Sequence, residues 1–285
     1  MTVKYPSLQA AADRASGVAQ RTFMWLNALQ LAVLTIIAFI AGWAPAAPAS
    51  QRIVAIVVCA LMVLALALTT ALRIGHFDDR WFRCRAFAEN IKSAAWFFMM
   101  ANPGPEAEAE FTKEVEEIRE RLHEVIKEVT SYESDGDIIT EEMKTAQALP
   151  QPGKLAFFRE QRLDDQRRWY RSKARYNARR EQYWFAAIFT IEFLALAYAA
   201  MQAWKLWEFN AVGGIAATGA AFVAWLQTKR FSDLGTSYAI AAGDLDGIAA
   251  QTIPGDDEAK FNQFVEDVEK AVSREHSMWL ARRVL

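Results

Sequence analysis

The chain has 285 residues, 53% of them hydrophobic, and sets 32 Lys and Arg against 34 Asp and Glu for a net charge of -2. So balanced a charge names no partner by itself, and two cysteines, one inside an apolar run, exclude a disulfide framework. Three separated histidines (His76, His123 and His276) form no ligand pattern with either cysteine, so neither metal chemistry nor any other cofactor is expected.

A mean hydropathy near zero hides two solvents, because apolar and charged residues occupy different segments. No charge lies between Thr22 and Gln51, from Ile53 to Leu72 or from Phe209 to Thr228, and Gln182 to Trp204 holds only Glu192. Each run matches the ~20 residues with which an α-helix crosses a ~30 Å hydrocarbon layer. Core helices of soluble proteins are usually shorter and carry a polar stripe. The expected fold is therefore all-α and integral to a membrane, with four transmembrane helices in two hairpins plus a cytoplasmic helical region. Residues 44–52, with Pro45 and Pro48, join the first pair of spans; a few residues around Leu206 and Glu208 join the second. Only Arg52 and Lys205 of the 32 cations fall in those connections, so both termini are expected in the cytoplasm. Trp43, Trp204 and Trp207 then mark the outer interface, and Trp25, Trp184 and Trp225 the inner one.

The expected division is a first two-span module at 1–102, a helical connector at 103–153 and a second module at 154–285. A shift of about 158 residues lays Arg21 and Trp25 near Arg180 and Trp184, and Arg73 near Arg230, as a distant internal repeat would. In the connector, Phe111, Val115, Ile118, Leu122, Val125 and Val129 alternate at spacings of four and three, a heptad seam that must be buried. Phe261, Phe264, Val268, Ala271 and Val272 in the tail offer a matching seam, so packing within the chain competes with packing between subunits.

No nucleophile, metal cluster or phosphate-cradling glycine loop is present, so an enzyme is not expected. "GDLDG" at 243–247 lacks the spacing of a calcium loop and reads as a helix-ending turn. Span four places Gly213, Ala217 and Ala221 four residues apart, which lets another helix approach, more often inside a monomer than at a pore seam. Glu192 at membrane depth requires a partner, a proton or a wet cavity; with Thr218 and Phe222 it forms the expected pore or gate set.

Ahead of span three, Arg168, Arg171, Arg175 and Arg179 follow one helix face, while Arg162, Trp169, Lys173, Tyr176, Arg180 and Tyr183 spread along a neighbouring one. Guanidinium groups suit phosphates and flat rings stack on bases, so Arg168, Arg171, Arg175 and Arg179 with Trp169 and Tyr176 are the expected nucleotide or oligonucleotide contacts. Duplex nucleic acid is not expected. Composition by itself favours a juxtamembrane basic helix that sets topology and touches anionic lipid heads over those nucleotide contacts.

"YPSLQAAADRASGVAQRTFMWL", "RAFAENIKSAAWFFM" with Arg85, Glu89, Lys92 and Trp96, and "DDQRRWYRSKARYN" resemble the SLATT family, two-transmembrane modules found beside nucleotide-signalling enzymes in bacterial defence systems. Two modules in tandem would cover nearly the whole chain, although "YAIAAGDLDGIAAQ" lacks the Arg, Glu, Lys and Trp series of the first. The resemblance implies a pore-forming antiphage effector in the bacterial inner membrane. It would be a symmetric homo-oligomer, a tetramer by expectation, gated by a nucleotide from a partner nucleotidyltransferase, and its opening would arrest or kill the infected cell. The alternative from another class is a non-conducting scaffold that recruits a cytoplasmic partner through its basic collar and heptad helix.

Overall fold

A computed structural model describes residues 3–43, 47–133, 135–204, 210–253 and 257–281, with side chains through 273. Pro45, Lys205, Leu206, Trp207, Glu208 and Phe209, and the side chain of His276, lie outside the described residues. Every regular element among them is helical: α1 (Ser7–Ala41), α2 (Pro48–Gly75), α3 (Phe77–Met100), α4 (Pro105–Arg121), α5 (Ile126–Thr130), α6 (Glu141–Gln147), α7 (Gln151–Phe158), α8 (Asp165–Ala203), α9 (Val212–Lys229), α10 (Phe231–Ala249) and α11 (Glu258–Ala281). The contacts divide the chain into an apolar unit, residues 21–77 and 175–235, and a charged unit, residues 1–20, 78–174 and 236–285.

The apolar unit is built for lipid. Its fully buried cluster is only Val33, Ile37, Ala65 and Leu68. Meanwhile Val63, Leu66, Phe185, Phe189 and Leu196 are each more than 60% exposed, an arrangement water would penalise at about 25 cal/mol per Å². Three helical stretches, Ser7–Ala41, Pro48–Met100 and Gln151–Ala203, contain a window long and apolar enough to cross a membrane. Helix α9 falls outside that set because its 18 residues close on Gln227, Thr228 and Lys229. Inside this unit Gln30 Nε2 donates to Thr69 Oγ1 at 2.9 Å, and the hydroxyls of Thr69, Thr70, Thr190, Thr218 and Thr228 donate to carbonyls four residues back. Each polar group so paired avoids the cost of an unmet donor in hydrocarbon.

The small residues of α9 serve packing within the chain. A Cβ at Gly214 would collide with the Phe39 ring, and one at Gly219 would lie 3.2 Å from Ile191 Cγ2. Gly214→Leu is expected to cost about 1–3 kcal/mol, the range for overpacking, read as a lowered unfolding temperature in detergent, whereas Gly213→Ala, at an open position, is neutral.

His76 and Arg230, the non-glycine residues with positive φ among those described (44° and 50°), end α2 and α9 and are followed at once by Phe77 and Phe231 opening the next helix. A left-handed residue stops one helix and re-aims the chain. The same joint thus recurs in both halves, and it pairs Arg230 with His76 rather than with Arg73.

The charged unit has the large core. The connector seam is not one helix, because the chain turns at Leu122 (φ -117°) through a 3-10 turn, His123–Val125, into α5. Phe111, Val115, Ile118, Val125 and Val129 are nevertheless buried in one cluster with Phe261, Phe264, Val268, Ala271 and Val272 of α11, so both seams are buried within the chain's own core. Helix α3 lies in the same cluster, with Phe87, Ile91, Ala95, Trp96 and Met99 wholly buried. Its last carbonyls are met by side chains: Gln147 Nε2 donates to Phe98 O and Lys154 Nζ to Ala101 O at 2.6 Å, placing a cation at the negative end of the helix. "GDLDG" lies inside α10, which ends at Ala249, so the turn expected at 243–247 is helix. Both of its glycines have open space where a side chain would be, and no contact demands their small size.

A buried ion pair, an arginine clasp and a membrane carboxylate

Between α7 and α8 the chain makes a π-turn, Arg159–Asp164, a rare element that often marks functional positions. It carries Arg162 into the core of the charged unit at 1% exposure. There Glu269 of α11, 107 residues away and 2% exposed, accepts from Arg162 Nε at 2.7 Å and Nη2 at 2.8 Å. Ser93 Oγ also donates to Glu269, at 2.8 Å. Glu269 falls on the apolar face of α11, four residues after Val265 and three before Val272. An acid inside a seam is the sequence signal that a buried cation faces it.

Beside the pair, Trp96 Nε1 donates to the Tyr5 hydroxyl at 3.0 Å, and burial pushes that phenol up to about 12. The Lys92 ammonium lies 5.5 Å from the Tyr5 ring centre. Thr140 Oγ1 donates to Lys4 O at 2.7 Å, tying residues ahead of α1 to the segment ahead of α6. Arg85 pairs with Glu89 at 3.4 Å. Of the first module's motif, Arg85, Glu89 and Lys92 line a cavity of about 1240 Å³, and Arg162, Trp169 and Lys173 from before span three line it as well. Trp96 instead packs edge-on against Phe158 beneath it.

The expected collar divides. Arg171 Nη2 donates to Asp246 Oδ2 at 2.6 Å, and Arg167 Nε donates to Asp246 Oδ1 at 2.8 Å, so the second Asp of "GDLDG" clasps α10 to α8. Arg168 is exposed, 3.8 Å from Asp165. Trp169 packs edge-on against Tyr170 and Tyr238, with the Lys173 ammonium 5.7 Å from its ring centre. Arg175, Tyr176 and Arg179 belong to the apolar unit and are exposed; Tyr176 carries the Arg180 guanidinium over its ring. In the expected gate set, Thr218 donates to Gly214 O and Phe222 meets Trp184 edge-on at 5.3 Å, while Glu192 stands exposed on α8. No His, Cys, Asp and Glu cluster suited to a metal occurs among the described residues.

The hydrogen bonds from Arg171 and then Arg167 hold the Asp246 carboxyl below its ordinary value. A lowered folded value means the clasp contributes fully above about pH 4 and loses its contribution as pH falls through the folded value. At this exposed site the contribution is small, on the order of 0–1 kcal/mol. Asp246→Asn should therefore lower stability slightly at pH 7 and progressively less below about pH 4, measured by paired unfolding curves.

No curated protein and no solved structure matches the chain. Two family descriptions do: residues 6–153 match the SMODS and SLOG-associating 2TM effector domain 3, and residues 158–279 match the SMODS and SLOG-associating 2TM effector domain 1. The first match closes before the π-turn and the second includes it, so the cavity takes Arg85 and Lys92 from one module and Arg162 and Trp169 from the other. The chain belongs to the SLATT family and carries two of its two-transmembrane effector modules in tandem.

Proposed function

We propose that this protein is a pore-forming effector of bacterial antiphage defence, a homo-oligomeric channel of the inner membrane gated by a nucleotide. Glu192 carries the reading. It stands near the middle of the otherwise uncharged run Gln182 to Trp204, roughly 15 Å from either end, and it is exposed in the single subunit. A carboxylate costs several kcal/mol facing lipid at that depth, so it is covered by a second copy or faces water on a symmetry axis. Helix α8 runs without a break from its Arg, Trp and Tyr series to Glu192, giving a rigid link from ligand to gate. All four apolar runs cross, with α9 as the shortest, and both termini are cytoplasmic. The assembly is a tetramer, and the nucleotide comes from a partner nucleotidyltransferase.

Gating requires that the ligand contact the open and closed arrangements unequally. Arg171 supplies such a difference, because a phosphate and the Asp246 carboxylate compete for the same guanidinium. Arg168, Arg175 and Arg179, with Trp169 and Tyr176, extend the cationic, aromatic strip; Thr218 and Phe222 back the gate. Purified protein in liposomes is expected to pass ions in a nucleotide-dependent way, and Glu192→Gln is expected to change that conductance. Absence of flux under every nucleotide condition would favour the non-conducting scaffold. Reversing Arg175 and Arg179 to Glu is expected to abolish the nucleotide response with assembly intact; an unchanged response combined with weaker binding to anionic vesicles would assign the strip to lipid heads.

A further inference from the structure

Arg162 spends two of its nitrogens on Glu269, but Nη1 has no hydrogen-bond partner among the described residues although it is fully buried. Gln151 Nε2 is buried and without an acceptor in the same way. Both residues line the 1240 Å³ cavity of the charged unit. A buried donor on a cation left without an acceptor loses its hydration without recompense, and native folds rarely retain two at one cavity without use. The missing partner must be an acceptor brought in from outside.

The wall specifies its chemistry. Lys92 and Arg85 add cations on the α3 side and Lys173 adds one on α8, but the whole lining carries eight carboxylates against six cations, so an anion is accepted only at the cationic corner of Arg162 and Lys92 and a polyanion is excluded. Trp169 supplies a flat ring on the same wall, already touched by Lys173. Glu258, Asn262 and Glu266 of α11 line the cavity too and supply acceptors for hydroxyl or amino groups. The volume exceeds the roughly 300–1,000 Å³ of ordinary small-ligand pockets, so the cavity is wide enough for a ligand of nucleotide size.

We propose that the cavity between α3, α8 and α11 is a phosphate-binding site for a nucleotide, with the phosphate at Arg162 and Lys92 and the base at Trp169. This rests on the nucleotide-gated reading and adds, beside the exposed arginine face of α8, a second nucleotide contact on the neighbouring face, which meets the cavity. Because the wall joins residues of both modules, an occupied cavity would fix α3 and α8 together, and ligand binding would report the relation of the two modules directly.

The test uses full-length protein in detergent, with inorganic phosphate and the four common nucleoside 5′-monophosphates as probes, followed by thermal shift and calorimetry. Saturable phosphate binding is expected, with at least one nucleotide tenfold or more tighter. Lys92→Gln should weaken both by tenfold or more. Arg162→Gln alone strands Glu269 as a buried, unpaired charge, so Arg162→Gln with Glu269→Gln removes both charges together and should abolish phosphate binding in a folded protein. No saturable phosphate binding, or binding in Lys92→Gln and the double variant as tight as in the parent protein, overturns the site; binding of phosphate as tight as every nucleotide overturns its base half. Liposome flux separates the two readings. Nucleotide-dependent flux that survives both variants sinks the site and leaves the channel, whereas variant-sensitive binding without any flux sinks the channel and leaves the site.

Discussion

Glu269→Ala destabilises the charged unit by about 3–5 kcal/mol, the loss typical when one partner of a buried ion pair is removed and the other charge stays behind. Arg162, at 1% exposure, is left without its counter-ion, and Ser93 loses its acceptor at the same time. Chemical unfolding of the detergent-solubilised protein should show the loss. Arg162→Met with Glu269→Met should recover most of it, since two apolar side chains of similar volume carry no desolvation penalty. A Glu269→Ala variant as stable as the parent would mean that the pair is open to solvent. The pair is thus weak evidence for net stability, and it joins the π-turn to α11.

The second large effect lies in the membrane. Leu66, 67% exposed and central in the charge-free run Ile53 to Leu72, should tolerate arginine at a cost of about 2.5–3.5 kcal/mol in insertion if it faces lipid. Membrane yield of Leu66→Arg should therefore fall sharply. Phe193→Arg, on the α8 surface one residue from Glu192, should be tolerated far better if that surface meets water on the pore axis, and equally badly if it meets lipid. The comparison tests the proposed pore role of α8 without any knowledge of the ligand. Equal losses at both positions would remove α8 from the pore.

Much of this was legible in the chain itself, and for a local reason. Hydrophobic length and charge segregation are properties of single segments, so the apolar runs, the all-helical class and the family motifs could be read without knowing any contact. The connector seam was legible too, although spacing could not say whether a second copy or the same chain would cover it; the buried cluster places it in the chain's own core. The register of the internal repeat was not, because identity is thin and the equivalence appears only in backbone angles at His76 and Arg230.

The tertiary structure alone decided everything that depends on distant pairs. Arg162 looked like one cation among eight in its stretch, and Asp246 like part of a turn, until residues 107 and 75 positions away closed on them. Sequence fixes a residue's helical face to within the width of a side chain, but a one-residue π insertion rotates every later face by about 100° relative to the earlier helix. Which face of α8 meets the cavity, and which meets Asp246, is set by that turn together with the packing of α11, and neither leaves a periodic trace.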